Sequence, residues 1–203
     1  DDIIATVDEP SSKYYPSYVN QSPKTTTKTR IGAADLKANA VNYWNCGSRG
    51  SVDSNTLIKD VVIVASCAVT FGSGTVIENS VIVTSSISSE SFKASSGLQI
   101  GKNDSCGEGG GAQLVTMGGM KFASNLQVYG SQLLAIGDIQ FAAQANGIQG
   151  AAMVSASSVS GTSNMSMAFC CTSVMFSITA LVFRFATHFR FVTRYSVSVW
   201  QQN

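Results

Sequence analysis

Two acidic residues in a glycine-rich segment are the first candidates for chemistry in this chain. Asp104 and Glu108 lie in the segment 101–111, GKNDSCGEGGG. Two neighbouring carboxylates can act as acid and base in polysaccharide cleavage, with Lys102 or Lys121 as an assisting group. Carboxylate oxygens are also the ligands that Ca²⁺ prefers. The segment is therefore a candidate weak ion site, although a surface loop tethered by a disulfide explains the same residues.

Other catalytic and metal-binding patterns are missing from the sequence. His188 is the single histidine and lies outside the repeats described below, so a Ser-His-Asp triad or a Cys-His pair would have to use that one residue. There is no C-x-x-C pair for zinc and no G-x-x-x-x-G-K-S/T loop for phosphate. We therefore predict a non-enzymatic protein that holds neither a metal nor a cofactor.

The cysteines indicate disulfide bonds. Widely spaced cysteines in a chain of low charge are typical of proteins that fold in an oxidising compartment. Their number is odd, and the residues alone do not choose which of them pair. The five are Cys46, Cys67, Cys106, Cys170 and Cys171.

The charge content points to a β-rich extracellular or envelope protein. Charged residues make up 12% of the 203 residues, where about 25% is usual, and helical bundles need more than this on their exposed faces. The formal net charge of +1 argues against nucleic-acid binding, which normally requires a basic surface. The longest apolar stretch, near 174–183, is shorter than a membrane span of about 20 residues. A membrane anchor, if the protein has one, is therefore expected upstream of Asp1.

An internal repeat of about 19 residues is the main architectural signal. The segment 58–66 (IKDVVIVAS) matches 77–85 (IENSVIVTS), and 118–123 (GGMKFA) matches 137–142 (GDIQFA) at the same spacing. A weaker copy relates 133–136 to 153–156 at a spacing that is one position longer. The apolar positions alternate or form short runs rich in Val, Ile and Phe, which predicts strands.

A repeat of this length predicts a single-stranded parallel β-helix, an all-β solenoid with right-handed coils. A strand–turn unit of about 19 residues cannot bury its own apolar side, but stacked units share a continuous core. The region 55–165 has room for about six such coils, each rising about 4.8 Å. Stacking places equivalent residues above one another, so neutral Ser, Thr, Asn and Gln ladders replace charges that would repel. A β-sandwich is the alternative architecture.

The chain divides into three predicted segments. Residues 1–45 form an N-terminal loop or cap with a helical turn within 33–39, and residues 46–171 form the solenoid domain. Residues 172–203 form a C-terminal β tail, which its arginine and aromatic residues would also suit for binding a partner. The candidate partner-binding residues of the tail are Phe183, Arg184, Phe189, Arg190, Phe191, Arg194 and Trp200.

Several glycine-rich motifs occur together in the predicted solenoid. They are 72–79 (GSGTVIEN), 95–106 (SSGLQIGKNDSC) and 145–151 (ANGIQGA), with 109–112 (GGGA), 161–164 (GTSN) and 167–170 (MAFC). In combination they resemble the C-terminal region of TadG-like proteins, members of the TadE/TadG family from the tight-adherence (Flp) pilus-assembly systems of marine alphaproteobacteria. The resemblance covers approximately residues 45–170.

The resemblance implies an envelope-exposed region behind an N-terminal membrane anchor, with pilus or envelope proteins as partners and no catalytic residues. Its implied role is pilus anchoring or surface adhesion. Cys46, Cys67, Cys106 and Cys170 fall where that family has cysteines, which leaves Cys171 as the odd one. The alternatives are a β-helix that binds or cleaves polysaccharide, a flat glycan- or ice-binding face, and a filament subunit that self-associates through its solenoid ends.

Overall fold

Three faces of short parallel strands build the chain into a β-solenoid. The computed structural model describes residues 21–104, 110–142, 147–161 and 167–168. The strands are β1 Lys24–Thr26, β2 Arg30–Ile31, β3 Val41–Trp44, β4 Arg49–Val52, β5 Leu57–Lys59, β6 Val62–Ala65, β7 Ala68–Phe71, β8 Val76–Glu78, β9 Ser80–Thr84, β10 Phe92–Ala94, β11 Gln99–Ile100, β12 Ala112–Thr116, β13 Met120–Phe122, β14 Gln127–Tyr129, β15 Gln132–Ala135, β16 Ile139–Phe141, β17 Gly147–Gln149, β18 Ala152–Ser155, β19 Val159–Gly161 and β20 Met167–Ala168.

Each face is one sheet. Face A is formed by β1, β3, β6, β9, β12, β15 and β18, face B by β2, β4, β7, β10, β13, β16 and β19, and face C by β5, β8, β11, β14, β17 and β20. In the described ranges the chain visits the faces in the order A, B, C six times from β3 to β20, giving six coils. The predicted all-β parallel solenoid is therefore confirmed.

The strand register reproduces the repeat seen in the sequence. Ile58 pairs with Ile77 and Met120 pairs with Ile139, so both pairs join positions that the repeat aligns. Leu133 pairs with Met153, at the slightly longer spacing of the weaker copy. The coil formed by β9, β10 and β11 is longer, because it carries the insertion 85–91 between β9 and β10 and the insertion 101–111 before β12. Both insertions lie at corners, so the strands on either side of them keep their pairing.

The core is a set of stacked ladders of inward side chains. On face B, Phe71 stacks on Phe92 and Phe122 stacks on Phe141, in both cases with ring centroids 5.8 Å apart. These rings lie in the interior with at most 3% of their surface exposed, so aromatic stacking adds to the burial of apolar area. The inward ladder of face C consists of Ile58, Ile77, Ile100, Val128 and Ile148.

Residues in the left-handed backbone conformation turn the chain at the corner between faces B and C. Asn55, Gly74, Gly97 and Asn125 occupy this corner in four consecutive coils, with φ between 55° and 78°. The N–H of Asn55 donates to the carbonyl of Ser73 in the next coil, at 2.8 Å. Glycine and asparagine adopt this conformation at lower cost than most residue types, so they favour a bend at this corner of each coil.

The stack begins earlier than the predicted start at residue 46. Lys24 of β1 pairs with Asn42 of β3, which pairs with Ile63 of β6. Asn42 occupies an inward position, where its amide accepts from the Lys37 N–H at 2.8 Å and donates to the carbonyl of Ala40 at 3.0 Å. Residues 24–44 are therefore part of the solenoid. The helical turn expected within 33–39 is a 3-10 turn at Ala33–Asp35.

The chain divides into two units, Asp1–Cys170 and Cys171–Asn203. The second unit, which holds the predicted tail, lies outside the described residues. No helix in the described part of the chain has the length and hydropathy of a membrane span.

Candidate functional surfaces

A disulfide joins two consecutive coils at the corner between faces A and B. Cys46 follows β3 and Cys67 follows β6, so their separation of 21 residues places them at the same corner one coil apart, with Cα atoms 5.7 Å from each other. Gly50 leaves room for this packing, because a Cβ there would lie 2.8 Å from Trp44 Cη2 and 2.9 Å from Cys46 Sγ. The structure thus confirms a disulfide between two of the four predicted cysteines, a bond typical of oxidising compartments.

The candidate ion site is only partly described. Lys102 and Asp104 belong to the insertion 101–111, where the Lys102 N–H donates to the carbonyl of Gly110 at 3.1 Å. Glu108 lies outside the described residues, and Lys121 lies on β13 of face B, where its ammonium contacts Glu90. Within the described ranges, no three His, Cys, Asp or Glu side chains come together as potential metal ligands.

Two carboxylates in the repeats form hydrogen bonds between adjacent coils at the corners of the solenoid. Asp60 and Asn79, which the repeat aligns, meet between faces C and A, where Asn79 Nδ2 donates to Asp60 Oδ1 at 2.7 Å. Asp138 accepts hydrogen bonds from the hydroxyls of Ser157 (2.6 Å) and Ser158 (2.8 Å) in the next coil. Those two hydrogen bonds hold the pKa of Asp138 below its ordinary value. Both carboxylates therefore bind neighbouring coils together.

A glutamate neutralises a lysine ladder on the outer side of face B. Lys93 and Lys121 are register partners in adjacent coils, and like charges in that relation repel. Glu90, in the insertion 85–91, places one carboxylate oxygen 2.9 Å from Lys93 Nζ and the other 3.0 Å from Lys121 Nζ. Arg49 Nη2 also donates to the Glu90 carbonyl, at 3.4 Å. Three cations therefore hold this insertion against face B.

The Glu90 cluster predicts a pH-dependent stability. Hydrogen bonds from Lys93 and then Lys121 lower the pKa of Glu90 from 4.5 to about 2. Because the pKa is lower in the folded state, the stabilisation is complete above pH 4.5 and is lost as the pH falls towards 2. We expect Glu90→Gln to lower the melting temperature at pH 7 by about 2 °C, the scale of exposed ion pairs in a domain of this size. Thermal unfolding monitored by circular dichroism between pH 2 and pH 7 measures this difference.

Glu78→Gln is the matched control for this prediction. Glu78 forms one longer ion pair, with its carboxylate 3.9 Å from the ammonium of Lys59, its register partner on face C. We therefore expect Glu78→Gln to lower the melting temperature by less than Glu90→Gln does. If the difference in melting temperature between the wild type and Glu90→Gln stayed constant from pH 7 to pH 2, the Glu90 carboxylate would not be the group that stabilises the lysine ladder.

Face C presents neutral polar ladders. Gln99 and Gln127 are register partners, and Gln127 Oε1 accepts a hydrogen bond from the Tyr129 hydroxyl at 3.2 Å. Together with the Lys59–Glu78 pair, these contacts agree with the expectation that stacked positions carry neutral groups or opposite charges.

The outer side of face A is mainly apolar, which the sequence reasoning missed. The strands β3, β6, β9, β12, β15 and β18 contain no charged residue. Val62 and Val81 point away from the core, yet only 2% and 0% of their surfaces are exposed, and they form a second apolar cluster with partly buried valines. The Val-Ile-Val runs at 62–64 and 81–83 could have indicated this apolar surface. In a strand with one side facing solvent, apolar and polar residues alternate, and these runs do not. One of the two outward columns of register partners on this face is Tyr43, Val64, Val83, Val115, Leu134 and Val154.

The remaining predicted site residues lie outside the described residues, and their predictions stand as made. They are Cys106, Cys170 and the tail residues Phe183, Arg184, Phe189, Arg190, Phe191, Arg194 and Trp200.

The comparisons with known proteins give a family but no activity. The family described as Domain of unknown function (DUF7867) matches residues 2–171, a range that contains every strand of the solenoid. No curated protein and no solved structure matches the chain. Because the family match covers most of the 203 residues, the chain belongs to the DUF7867 family.

Proposed function

We propose that this protein is a non-enzymatic structural component of the cell envelope or extracellular space, acting in pilus anchoring or surface adhesion. The observation that carries the proposal is the Cys46–Cys67 disulfide, which joins two consecutive coils of the six-coil stack, because such a bond persists outside the reducing cytosol. The resemblance of 72–79, 95–106 and 145–151 to TadG-like proteins supplies the more specific role. Pilus or envelope proteins are the proposed partners.

The architecture supports binding through the outer faces of the solenoid. Register partners repeat along each face at the spacing of adjacent strands, about 4.8 Å, so each outer face offers the same kind of contact several times over. The acidic residues Asp60, Glu90 and Asp138 contact neighbouring side chains that stabilise the stack. Multiple weak contacts along a rigid body suit attachment to an extended surface or to a fibre.

Gene deletion in the native host tests this proposal. We expect loss of the chain to reduce surface attachment and the number of assembled pili, and expression of the intact chain to restore both. A second complementation with a chain that ends at residue 171 asks whether the predicted tail takes part. Attached cells are counted after washing, and pili are counted by electron microscopy.

Maleimide labelling in whole cells tests the compartment in the same strains. The Cys46–Cys67 pair should resist labelling until a reductant is added. Attachment and pili that remain unchanged after deletion, or a thiol pair that labels without reductant, would contradict the proposal.

A further inference from the structure

The outer side of face B holds most of the positive charge of the strands. In the described part of the chain, the strands of face A carry a single cation, and those of face C carry one cation beside one carboxylate. The strands of face B carry four cations and no acidic residue, and the four are Arg30, Arg49, Lys93 and Lys121. In a chain with so few charges, this distribution gives one face a positive potential of its own.

Three of these cations share one area at the centre of face B and are called the cationic cluster: Arg49, Lys93 and Lys121. Lys93 and Lys121 are register partners in adjacent coils, with 46% and 54% of their side chains exposed. Thr70 is the register partner of Lys93 in the preceding coil, and its hydroxyl accepts a hydrogen bond from Arg49 Nη1 at 3.0 Å. Arg49 therefore reaches along the face towards the two lysines.

Glu90 only partly neutralises the cationic cluster. It is the one carboxylate that forms ion pairs with the cluster among the described residues, so two positive charges remain in excess. The described hydrogen bonds of the Arg49 guanidinium go to neutral oxygens, namely the Thr70 hydroxyl and the Glu90 carbonyl. Each lysine ammonium has three N–H groups and donates one of them to Glu90. Exposed donors and positive charge are therefore available to an anionic ligand.

The contacts of Glu90 also indicate which anion fits the cluster. Its two carboxylate oxygens lie 2.9 Å from Lys93 Nζ and 3.0 Å from Lys121 Nζ. One carboxylate thus bridges two adjacent coils with a charge-assisted hydrogen bond to each. A carboxylate from a ligand meets the same two ammonium groups with the same geometry.

We propose that the cationic cluster binds a carboxylated polysaccharide, that is, a polyuronate. The excess positive charge selects an anion, and the geometry around Glu90 favours a carboxylate. Hydroxyl and amide groups suited to hydrogen bonds with sugar hydroxyls occupy the other outward positions in the same column of register partners. Those positions are Ser51, Thr70, Gln140 and Ser160. Because the column advances about 4.8 Å per coil, a linear polymer laid along it contacts several coils at once.

A nucleic acid fits this face less well than a polyuronate does. Proteins that bind single-stranded nucleic acid stack the bases on aromatic side chains. In the described ranges, the aromatic residues of the face B strands are Phe71, Phe92, Phe122 and Phe141, and all of them are buried. Polyuronate binding rests on the proposed surface attachment, for which it names the contacting face and the chemical class of the ligand.

Titration calorimetry of the purified full chain at pH 7 with an oligogalacturonate of defined length tests the proposal. We expect Lys93→Gln/Lys121→Gln to raise the dissociation constant about tenfold or more, because two charge-assisted hydrogen bonds are lost. The matched control is Lys59→Gln/Lys102→Gln, which removes the same charge from face C and from the insertion 101–111. Since screening weakens the effect of distant charges, we expect it to change the constant by less than about twofold. Circular dichroism checks that each variant is folded.

Glu90→Gln tests the site in the opposite direction. It removes the carboxylate that competes for both lysines and keeps all three cations of the cluster. We expect it to lower the dissociation constant about threefold or more, since the ligand carboxylate then meets both ammonium groups without a competitor. A stabilising role of the cluster alone would not produce tighter binding.

Two comparison ligands of the same length define the chemistry. We expect no measurable binding to a neutral dextran oligomer and weaker binding to a single-stranded DNA than to the oligogalacturonate. The proposal is overturned by a wild type that does not bind the oligogalacturonate, by equal effects of the two double variants, by a Glu90→Gln variant that binds no tighter, or by equal or tighter binding of DNA or dextran. A deletion strain that loses attachment while the purified chain fails to bind would overturn the ligand and leave the proposed attachment role in place.

Discussion

Replacing Phe92 by alanine is expected to lower the free energy of unfolding by about 3–5 kcal/mol, the usual cost of deleting a buried phenylalanine ring. Phe92 is fully buried and stacks on Phe71 with ring centroids 5.8 Å apart. Its register partners are Val69 on one side and Met120 on the other. Because each coil of a solenoid packs only against its neighbours, few other side chains can move in to fill the cavity. Urea denaturation followed by circular dichroism measures the change.

The control for this prediction is a large apolar residue in the same coil that is not buried. Ile87 lies in the insertion 85–91 and is 84% exposed, so Ile87→Ala should change the free energy of unfolding by less than about 0.5 kcal/mol. Equal effects of Phe92→Ala and Ile87→Ala would show that the face B ladder does not form the core.

Removing the disulfide is expected to have the next largest effect. Cys46 and Cys67 close a loop with a sequence separation of 21 residues, and the entropy of closing such a loop in the unfolded chain corresponds to about 3 kcal/mol. The variant Cys46→Ala/Cys67→Ala should therefore unfold at a lower denaturant concentration than the oxidised wild type. The comparison is made by guanidinium denaturation with and without a reductant.

The reductant provides the control within the same experiment. Reduced wild type should approach the stability of Cys46→Ala/Cys67→Ala, because both lack the cross-link between the first two full coils. A double variant as stable as the oxidised wild type would mean that the bond does not constrain the unfolded chain.

The regular part of the fold was predictable because its spacing is uniform. Ile58 and Ile77, and likewise Met120 and Ile139, lie one repeat apart in the sequence and pair in the structure. The region between them was not predictable in detail, because the insertion 101–111 lies between Phe92 and its register partner Met120 and sets them more than one repeat of sequence apart. A search for one fixed period does not detect a pair with a longer spacing.

The start of the solenoid was hidden for a different reason. Asn42 stands where later coils have Ile63 and Ile82, so the strand β3 lacks an apolar pattern. Its amide is tolerated inside because the backbone of Lys37 and Ala40 satisfies it, and those contacts depend on the fold. The sequence therefore suggested a cap where the structure has strands.

The disulfide was predictable by residue type but not by pairing. Cysteine spacing left the pairing open, and Cys46 with Cys67 became evident only when both fell at one corner of adjacent coils. The role of Glu90 was missed, because its partner Lys121 is 31 residues away in the sequence. Such contacts follow from the way coils stack, which composition and local pattern do not contain.

The position of the Cys46–Cys67 bond has a mechanical consequence. When a β-solenoid is pulled from its N-terminal end, we expect the coils to detach one after another. The hydrogen bonds that join adjacent coils then break in sequence. The bond lies between the first two full coils, so tension reaching Cys46 passes directly to Cys67. About 70 Å of chain, the extended length of the 21 bridged residues, is then withheld from extension. The force is then transmitted to the coils that follow Cys67, and further extension requires those coils to separate from one another.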